Sequence, residues 1–411
     1  MASMTPLSLY LHLPFCTVRC AYCDFNTYAG LEAQMGPYAR ALAREIRGVG
    51  EAGGRPAAHT IFLGGGTPSL LPLDLHRELF IALRESFTLA PDCEVTLEAN
   101  PGTVTRAYLA GLRELGVNRL SFGVQSSHPH ELRLLDRLHL FGDVVQAVSW
   151  ARAAGFDNLN LDVIFAIPQQ TLAMWQATLH SVLALGPEHL SAYALSLEHG
   201  TPLRAWVYRG LLPMPDPDLA ADMYEWASET MERNGFVQYE ISNWAREVAS
   251  GELRVAGDDN QQSKIRNPKF ACRHNIQYWR NEPYLGFGAG AHGWAEGVRY
   301  SNVLAPAAYI QRLSADEVRP YPLSPAVSQS ILTEQVDAMG EMMMMGMRLV
   351  REGVSSAEFE RRFGVSLAAR YPRELATLRQ RGLIEWDGER ARLTRAGRLL
   401  GNEVFREFLA G

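Results

Sequence analysis

Three of the five cysteines of this 411-residue chain stand together near its start, in the stretch CTVRCAYC, as Cys16, Cys20 and Cys23. Clustered cysteines in a reducing compartment are candidate metal ligands. Structural zinc sites usually combine two separated pairs, and here a fourth ligand such as His12 would have to complete the site. Three thiolates on one loop suit a 4Fe-4S cluster better, because each can hold one iron and leave the fourth iron open. We therefore predict these cysteines as cluster ligands.

A second set of chemically useful residues follows short apolar runs in the first half of the chain. The glycine-rich turn 64–68 ends one run, Glu98 and Gln125 end two others, and Asp162 lies within a further run. Glycines let a backbone approach a ligand closely, and carboxylates and amides form hydrogen bonds with it. Taken singly, the turn could be an ordinary loop and either carboxylate a helix cap. Together they predict a polar ligand site.

The elements that must position these residues alternate between apolar runs and helical segments. Six runs predict buried parallel strands: LSLYLHL, HTIFLGGG, CEVTLEAN, NRLSFGVQ, NLNLDVIFAI and HLSAYALSLE. Helical spacing lies between them, as at Tyr38, Leu42 and Ile46. This alternation predicts an α/β fold whose six βα units curl into a barrel or an incomplete barrel. Because chemistry in such folds sits at the carboxyl ends of the strands, the polar residues above should converge.

The remainder of the chain predicts two further regions. We expect a barrel domain over 1–240, a connecting region over 241–322 with a polar insertion at about 247–264, and a C-terminal domain over 323–411. In the last domain, helical patterns extend over 327–351 and 356–380, and Asp-Gly at 387 and 388 predicts a turn between two short strands. Helices followed by such a hairpin are typical of a winged-helix-like domain.

The composition argues against several classes of partner. The net charge of -6 and the pI near 6.0 give no broad basic field, and the C-terminal region has no basic stripe, so we expect no nucleic-acid partner. No secretory signal opens the chain, and no apolar run reaches the about 18 residues that a membrane-spanning helix needs. We predict a cytoplasmic protein without a transmembrane segment.

The cysteine stretch resembles the CxxxCxxC signature of radical S-adenosylmethionine (SAM) enzymes. The segments YLHLPFC, FLGGGTPSLL, LEANPGT, SFGVQSSHPHELRLLDRLH and LDVIFAIPQQT resemble successive motifs of the oxygen-independent coproporphyrinogen III oxidase group, over nearly the whole chain. The resemblance implies a partial TIM-like (β/α)6 radical SAM barrel. It also implies that SAM chelates the open iron of the cluster and is cleaved to a 5′-deoxyadenosyl radical.

The same resemblance carries over a set of SAM contacts by motif. The contacts for the cluster-bound SAM would be Tyr10, Gly65, Glu98, Gln125, Arg137 and Asp162. Contacts for a second SAM would be Tyr22, Gly66 and Thr67. One segment departs from the family pattern, because Ala166 and Gln169 stand at positions that usually hold glycine. The aspartate of that segment is kept, so we still expect SAM binding.

Two features separate this chain from the authentic oxidases of the group. Those enzymes carry a fourth cysteine two residues after the third, where this chain has Phe25, and an extension before the first strand, which we do not expect here. The sequence CDFN and the motif HNxxYW, His274 to Trp279, resemble instead the HemW-type haem chaperones. This resemblance implies haem as cargo and haem-accepting proteins as partners, respiratory proteins among them, and it leaves a homodimer open. The alternative is a radical SAM enzyme that oxidises a porphyrinogen.

The haem assignment depends on three residues of that motif. His274 offers an axial ligand for iron, and Tyr278 and Trp279 offer aromatic faces for the macrocycle. The spacing alone also fits a helix that packs against a core with a satisfied histidine. Both interpretations remain open at the level of sequence, and the resemblance favours the haem site.

Overall fold

The computed structural model of the chain describes residues 6–247, 267–315 and 317–409. The strands are β1 Leu7–Leu13, β2 Phe15–Cys16, β3 Tyr28–Ala29, β4 Ala57–Gly65, β5 Thr88–Ala99, β6 Arg119–Gln125, β7 Leu159–Phe165, β8 His189–Ala194, β9 Phe236–Glu240, β10 Asn243–Arg246, β11 Tyr284–Phe287, β12 His292–Ala295, β13 Val298–Asn302, β14 Val327–Leu332, β15 Val354–Ser355, β16 Ile384–Trp386 and β17 Arg390–Leu393. The α-helices are α1 Met35–Ala52, α2 Leu73–Ser86, α3 Arg106–Leu115, α4 Pro129–Leu134, α5 Phe141–Ala153, α6 Leu172–Leu183, α7 Pro202–Tyr208, α8 Pro217–Arg233, α9 Arg273–Trp279, α10 Pro306–Arg312, α11 Gln335–Gly346, α12 Ser356–Phe363, α13 Leu367–Arg370, α14 Pro372–Gln380, α15 Arg395–Leu399 and α16 Gly401–Leu409.

The chain folds into two compact units. The first unit comprises Met1–Glu188, Ala192–Tyr224 and Pro283–Leu332. The second unit comprises His189–Ser191, Glu225–Glu282 and Thr333–Gly411. The connecting region that we expected over 241–322 is therefore shared between the two units, and helix α9 belongs with the C-terminal region. The insertion at about 247–264 lies, beyond Glu247, outside the described residues.

The first unit is built on a parallel sheet. Its strands follow the order β14-β13-β12-β11-β1-β4-β5-β6-β7, and the neighbours from β11 to β7 pair in parallel. The six apolar runs correspond to β1, β4, β5, β6, β7 and β8, which confirms the predicted strands and the α/β class. Their side chains are buried, as at Leu9, Leu63 and Leu161, because both faces of the sheet are covered.

Helices α1 and α2 pack side by side along this unit, with apolar faces that include Leu42, Ile46 and Leu79. Strand β11, which the sequence did not predict, adds to β1 in parallel, and β12 to β14 extend the sheet antiparallel to one another. Of the described helices, none is both long and apolar enough to span a bilayer.

The second unit contains most of the C-terminal domain predicted over 323–411, whereas residues 323–332 belong to the first unit. Strands β15, β17 and β16 form an antiparallel sheet, and the turn between β16 and β17 contains Gly388 at φ 92°, which confirms the predicted hairpin. Helix α11 contributes Met342, Met343 and neighbouring methionines to a core that also contains Phe405 of α16. Helices, a small sheet and a hairpin give the winged-helix-like architecture that the sequence predicted.

Two helical predictions in the C-terminal region were wrong in extent. The segment predicted as one helix over 327–351 begins with strand β14, and the helix α11 starts only at Gln335. The segment 356–380 is divided into α12, α13 and α14, because Gly364 ends α12 in a left-handed conformation at φ 70° and Pro372 starts a new helix. In the second segment local signals interrupt the helical pattern, whereas in the first the pairing of β14 with β13 replaces it.

Candidate functional site

The predicted ligand residues converge at the carboxyl edge of the parallel sheet. In its register, Leu13 of β1 pairs with Gly65 of β4, and Glu98 of β5 follows the residue that pairs with Leu63. In the next two strands Ser121 pairs with Glu98, and Gly123, two residues further along, pairs with Asp162. The sheet therefore gathers the glycine-rich turn and the carboxylates of Glu98 and Asp162 next to the start of the cysteine loop.

The cysteine loop leaves β2 and carries three free, partly buried thiols. The loop is tightened by a backbone hydrogen bond from Cys23 N to Cys20 O at 3.1 Å. Burial raises the pKa of Cys16 and of Cys23 above the usual thiol value. These thiols keep their protons until a cation replaces them, and iron supplies such a charge.

Polar groups from the sheet edge face the thiol sulfurs. The Thr67 hydroxyl lies 3.6 Å from Cys16 Sγ, and Arg137 Nη1 lies 3.7 Å from Cys20 Sγ. Asn100 joins the two donors, because its Nδ2 donates to Thr67 Oγ1 at 3.0 Å and its Oδ1 accepts from Arg137 Nη2. Hydrogen-bond donors directed at sulfur stabilise anionic thiolates in iron-sulfur sites. The sulfur environment thus fits the predicted cluster.

The thiol arrangement does not fit a single metal ion. Within 6–247, 267–315 and 317–409, no three histidine, cysteine or carboxylate side chains form a group that could hold one ion. A cluster requires a wider spacing of its ligands, because each cysteine bonds a different iron atom.

Glu98 and Asp162 occupy different electrostatic environments. Glu98 Oε2 accepts from Gly65 N at 3.2 Å, and burial, followed by the charge of Asp162, raises the pKa of Glu98 to about 7. Asp162 is held on both oxygens, by Ser121 Oγ and by Asn160 Nδ2, each at 2.8 Å. Glu98 can therefore change charge near neutral pH, in a position where a cationic ligand group would keep it ionised.

The other predicted SAM contacts lie around the same edge. Gly66 N donates to Leu13 O at 2.9 Å, so the glycine turn is fastened directly to β1. Gln125 adopts φ 65° at the end of β6, and Tyr22 packs beside a buried apolar cluster that includes Ala21. Arg137 donates to Gly123 O at 2.8 Å as well as facing the cysteine loop. The sequence places Asn100 beside Glu98 among the polar residues that follow the strands, and its contacts with Thr67 and Arg137 give it a role that the sequence did not assign.

The HNxxYW segment forms helix α9 in the second unit. His274 is buried, its Nε2 lies 3.1 Å from the Tyr278 hydroxyl, and the two rings meet edge to face. Trp279 packs against a core that contains Tyr239, and the Arg348 guanidinium lies 4.5 Å from the Trp279 ring centre. The three residues are thus adjacent and packed into protein, and the role of His274 as a haem ligand stays a prediction.

Comparisons with known proteins agree with this architecture. The model of the radical SAM superfamily matches residues 10–182, and the model of the HemN C-terminal domain matches residues 334–400. The solved structure of coproporphyrinogen III oxidase (HemN) from Escherichia coli, a radical SAM enzyme, superposes with a TM-score of 0.79 at 23% identity, covering 99% of this chain and 91% of that chain. The sheet and the cysteine loop at its edge therefore define a protein of the radical SAM superfamily, whose members bind a 4Fe-4S cluster and SAM.

Relatives of similar length narrow the family. Heme chaperone HemW from Bacillus subtilis (strain 168) is 37% identical, covering 98% of this chain and 99% of that protein. Heme chaperone HemW from Mycobacterium tuberculosis (strain ATCC 25618 / H37Rv) is 36% identical, covering 98% of this chain and 95% of that protein. The chain belongs to the HemW family.

Proposed function

We propose that this protein is a haem chaperone that binds a 4Fe-4S cluster, SAM and haem, and passes haem to acceptor proteins. The observation that carries the proposal is similarity over nearly the full length to relatives named heme chaperone HemW. Phe25 supports the proposal. The authentic oxidases carry a fourth cysteine two residues after the third, and this chain has an exposed phenylalanine at that position. The acceptors we propose include respiratory proteins, and we place the protein in the cytoplasm, with a homodimer as one possible assembly.

The cluster would be held by Cys16, Cys20 and Cys23, and the open iron by SAM. When bound, the cluster supplies one electron to the sulfonium group of SAM. The chain's own groups would orient SAM: the ionised Glu98 carboxylate would accept from its ammonium, and Asp162 and Gln125 would bind its ribose hydroxyls.

The remaining assignments follow the motifs. Tyr10, Gly65 and Arg137 would complete the site of the cluster-bound SAM, with Arg137 directed at its carboxylate. In the structure this guanidinium already donates to Gly123 O and to Asn100, so it would hold both the edge of the sheet and the ligand. Tyr22, Gly66 and Thr67 would contact a second SAM.

The haem would bind at helix α9, with His274 as the axial ligand and Tyr278 and Trp279 against the macrocycle. Ligation through His274 Nε2 requires that the Tyr278 hydroxyl first leave that nitrogen, since the two atoms are 3.1 Å apart. The Tyr278 hydroxyl and the haem iron therefore compete for His274 Nε2. Removal of the hydroxyl should favour haem binding, whereas removal of the imidazole should weaken it.

The test is a haemin titration of anaerobically reconstituted protein, followed by difference absorbance. We expect saturation near one haem per chain, a loss of at least about tenfold in affinity for His274→Ala, and unchanged or up to about tenfold stronger binding for Tyr278→Phe. His199→Ala, which removes an exposed histidine, is the matched control. Equal binding by His274→Ala and the control would remove His274 from the site.

The same preparation separates the chaperone from an enzyme. Coproporphyrinogen III is incubated with the reduced protein and SAM, and the products are analysed. Stoichiometric turnover with formation of 5′-deoxyadenosine, together with no saturable haem binding, would replace the proposal with a porphyrinogen-oxidising enzyme.

A further inference from the structure

A glycine-rich turn between β11 and β12 holds the end of the cysteine loop. Gly288 and Gly290 adopt φ 100° and 77°. A Cβ atom on Gly290 would lie 2.4 Å from Nδ2 of Asn26, and a Cβ atom on Gly288 would lie 2.5 Å from the main-chain oxygen of His12. A side chain at Gly290 would collide with Asn26 and one at Gly288 with strand β1, so the turn can approach both only as glycine.

Both polar atoms of the Asn26 side chain form hydrogen bonds. Its Nδ2 donates to Ala289 O and to Leu304 O, each at 3.0 Å, and its Oδ1 accepts from the Tyr28 hydroxyl at 3.0 Å. The first two bonds cross from the cysteine loop to a segment more than 260 positions later in the chain. Asn26 therefore fixes the end of the loop that begins with the three cysteines.

The turn that receives Asn26 is itself anchored. Gly288 N donates to Glu45 Oε2 at 2.8 Å, and Asn302 Nδ2 donates to Glu45 Oε1 at 2.9 Å and to Gly288 O at 3.0 Å. Glu45 is buried in helix α1, with further hydrogen bonds from Tyr309 and Ser324. A buried carboxylate with this many donors holds its partners rigidly, so Asn26 binds to a fixed support.

The main chain of Asn26 leads in the opposite direction, toward the SAM pocket. Its oxygen lies 2.9 Å from His12 Nε2, and a carbonyl oxygen can only accept, so this nitrogen carries the proton. His12 is buried, and burial lowers its pKa, so the ring is neutral and its Nδ1 is an acceptor. The Tyr10 hydroxyl, 3.0 Å from Nδ1, is then the donor. A chain of hydrogen bonds thus joins Asn26 to Tyr10.

We propose that Asn26 is a positioning residue for the SAM pocket, which acts through His12 to fix the direction of the Tyr10 hydroxyl. The proposal rests on the role of Tyr10 as a SAM contact given above, and it is independent of the haem site. With the side chain of Asn26 anchored, its main-chain oxygen holds the imidazole in one tautomer and one orientation. Without that anchor, the Asn26 oxygen no longer holds the His12 ring in place, and the ring in turn no longer fixes the Tyr10 hydroxyl.

The test measures the affinity for SAM by equilibrium dialysis with anaerobically reconstituted protein. We expect about a tenfold loss of affinity for Asn26→Ala, because the bonds that hold the loop are lost, with iron and sulfide contents close to those of the unaltered protein. Asn26→Asp, which has the same size but directs an anionic oxygen at two carbonyl oxygens, should weaken SAM binding at least as much. Asp24→Ala, on the exposed side of the same loop, is the control and should bind SAM normally.

A double-mutant cycle with Tyr10→Phe separates positioning from a general structural role. If Asn26 acts through Tyr10, the affinity of the double variant for SAM should equal that of whichever single variant binds SAM less tightly. Additive losses, normal SAM binding by Asn26→Ala and Asn26→Asp, or loss of the cluster together with thermal stability in both variants would each overturn the proposal. Normal binding by Tyr10→Phe alone would overturn it too, by removing Tyr10 from the SAM site, and haemin binding would be unaffected by that result.

Discussion

At the scale of single residues, the environment of Glu98 makes the charge of the candidate SAM site depend on pH. Its carboxyl is held near Gly65 and feels the charge of Asp162, and burial first, then this charge, raises its pKa to about 7. A SAM ammonium requires the ionised carboxylate. Below pH 7 the carboxyl must therefore release its proton before the ligand binds, so SAM binding and proton release are linked.

We expect the affinity for SAM to fall as the pH decreases below about 7, approaching tenfold per pH unit. Glu98→Gln should bind SAM weakly at every pH and lose this dependence, because an amide does not titrate in this range. Equilibrium dialysis between pH 6 and pH 8.5 measures the affinity for SAM of the unaltered protein and of Glu98→Gln. A dependence that persists in Glu98→Gln would assign the titration to another group.

The cysteine loop gives a second prediction for individual residues. Cys20→Ala should lower the iron and sulfide contents of anaerobically reconstituted protein to background, because a cluster with two remaining protein ligands is not retained. Cys93→Ala, which removes a buried thiol of β5, should keep both contents unchanged. Chemical analysis of iron and sulfide decides this, and full contents in Cys20→Ala would refute the site.

At the scale of elements, the loop after β7 keeps a glycine-type backbone at the two positions where this chain departs from the family's glycines. Ala166 and Gln169 adopt φ 58° and 70°, so the backbone has the left-handed conformation that glycine tolerates although the side chains differ. For an L-residue this conformation costs about 1–2 kcal/mol.

Ala166→Gly should therefore stabilise the protein by up to about 1 kcal/mol, after the extra conformational entropy that glycine gives the unfolded chain is subtracted. Ala177→Gly, in the exposed interior of helix α6, should destabilise it by about 0.5–1 kcal/mol instead. Thermal unfolding of the cluster-free protein compares the two, and a lower midpoint for Ala166→Gly would show that its conformation carries no strain.

Elements also show why some of the fold could be predicted and some could not. The strands that carry the site are buried on both faces, so their sequences are continuous apolar runs. Strand β14 is almost wholly exposed, and its Val327 and Ile331 stand four residues apart, which is the spacing of a helix face. The sequence therefore indicated a helix there. Pairing with β13 decides its conformation, and such long-range pairing leaves no periodic signal.

The candidate site divides in the same way. The cysteines and Glu98 were visible because their types and positions after strands indicate chemistry. Asn26 and Asn100 were not assigned roles, because their partners are distant in sequence and an isolated asparagine usually indicates a turn. Residues that position other residues are found only when the register and loop contacts are known.

At the scale of the whole molecule, helix α9 belongs to the unit that contains the C-terminal domain. Arg280, directly after this helix, forms a two-pronged ion pair with Glu352, with N–O distances of 2.9–3.3 Å. Arg362 also donates to the main-chain oxygens of Arg280 and Asn281. The candidate haem segment is thus fastened to residues that follow the barrel in sequence.

Glu352→Ala should weaken haemin binding by on the order of two- to fivefold and leave SAM binding and iron content unchanged, because the ion pair is partly exposed and lies within the second unit. Glu385→Ala, which breaks the more exposed pair with Arg392 in the same unit, should leave all three quantities unchanged. Parallel losses of iron and haemin binding in Glu352→Ala would contradict this separation.

The contact between Asn26 and the turn at Ala289 joins residues 263 positions apart. During synthesis, the cysteines leave the ribosome long before the residues that fasten their loop. Contacts of such large sequence separation form late, because the closure of long loops delays them. An emerging chain therefore presents its thiols on an unfastened loop, and this loop takes its final position only after most of the polypeptide has been made. The fastening of the cysteine loop is in that sense a post-translational event, set by the order of the chain.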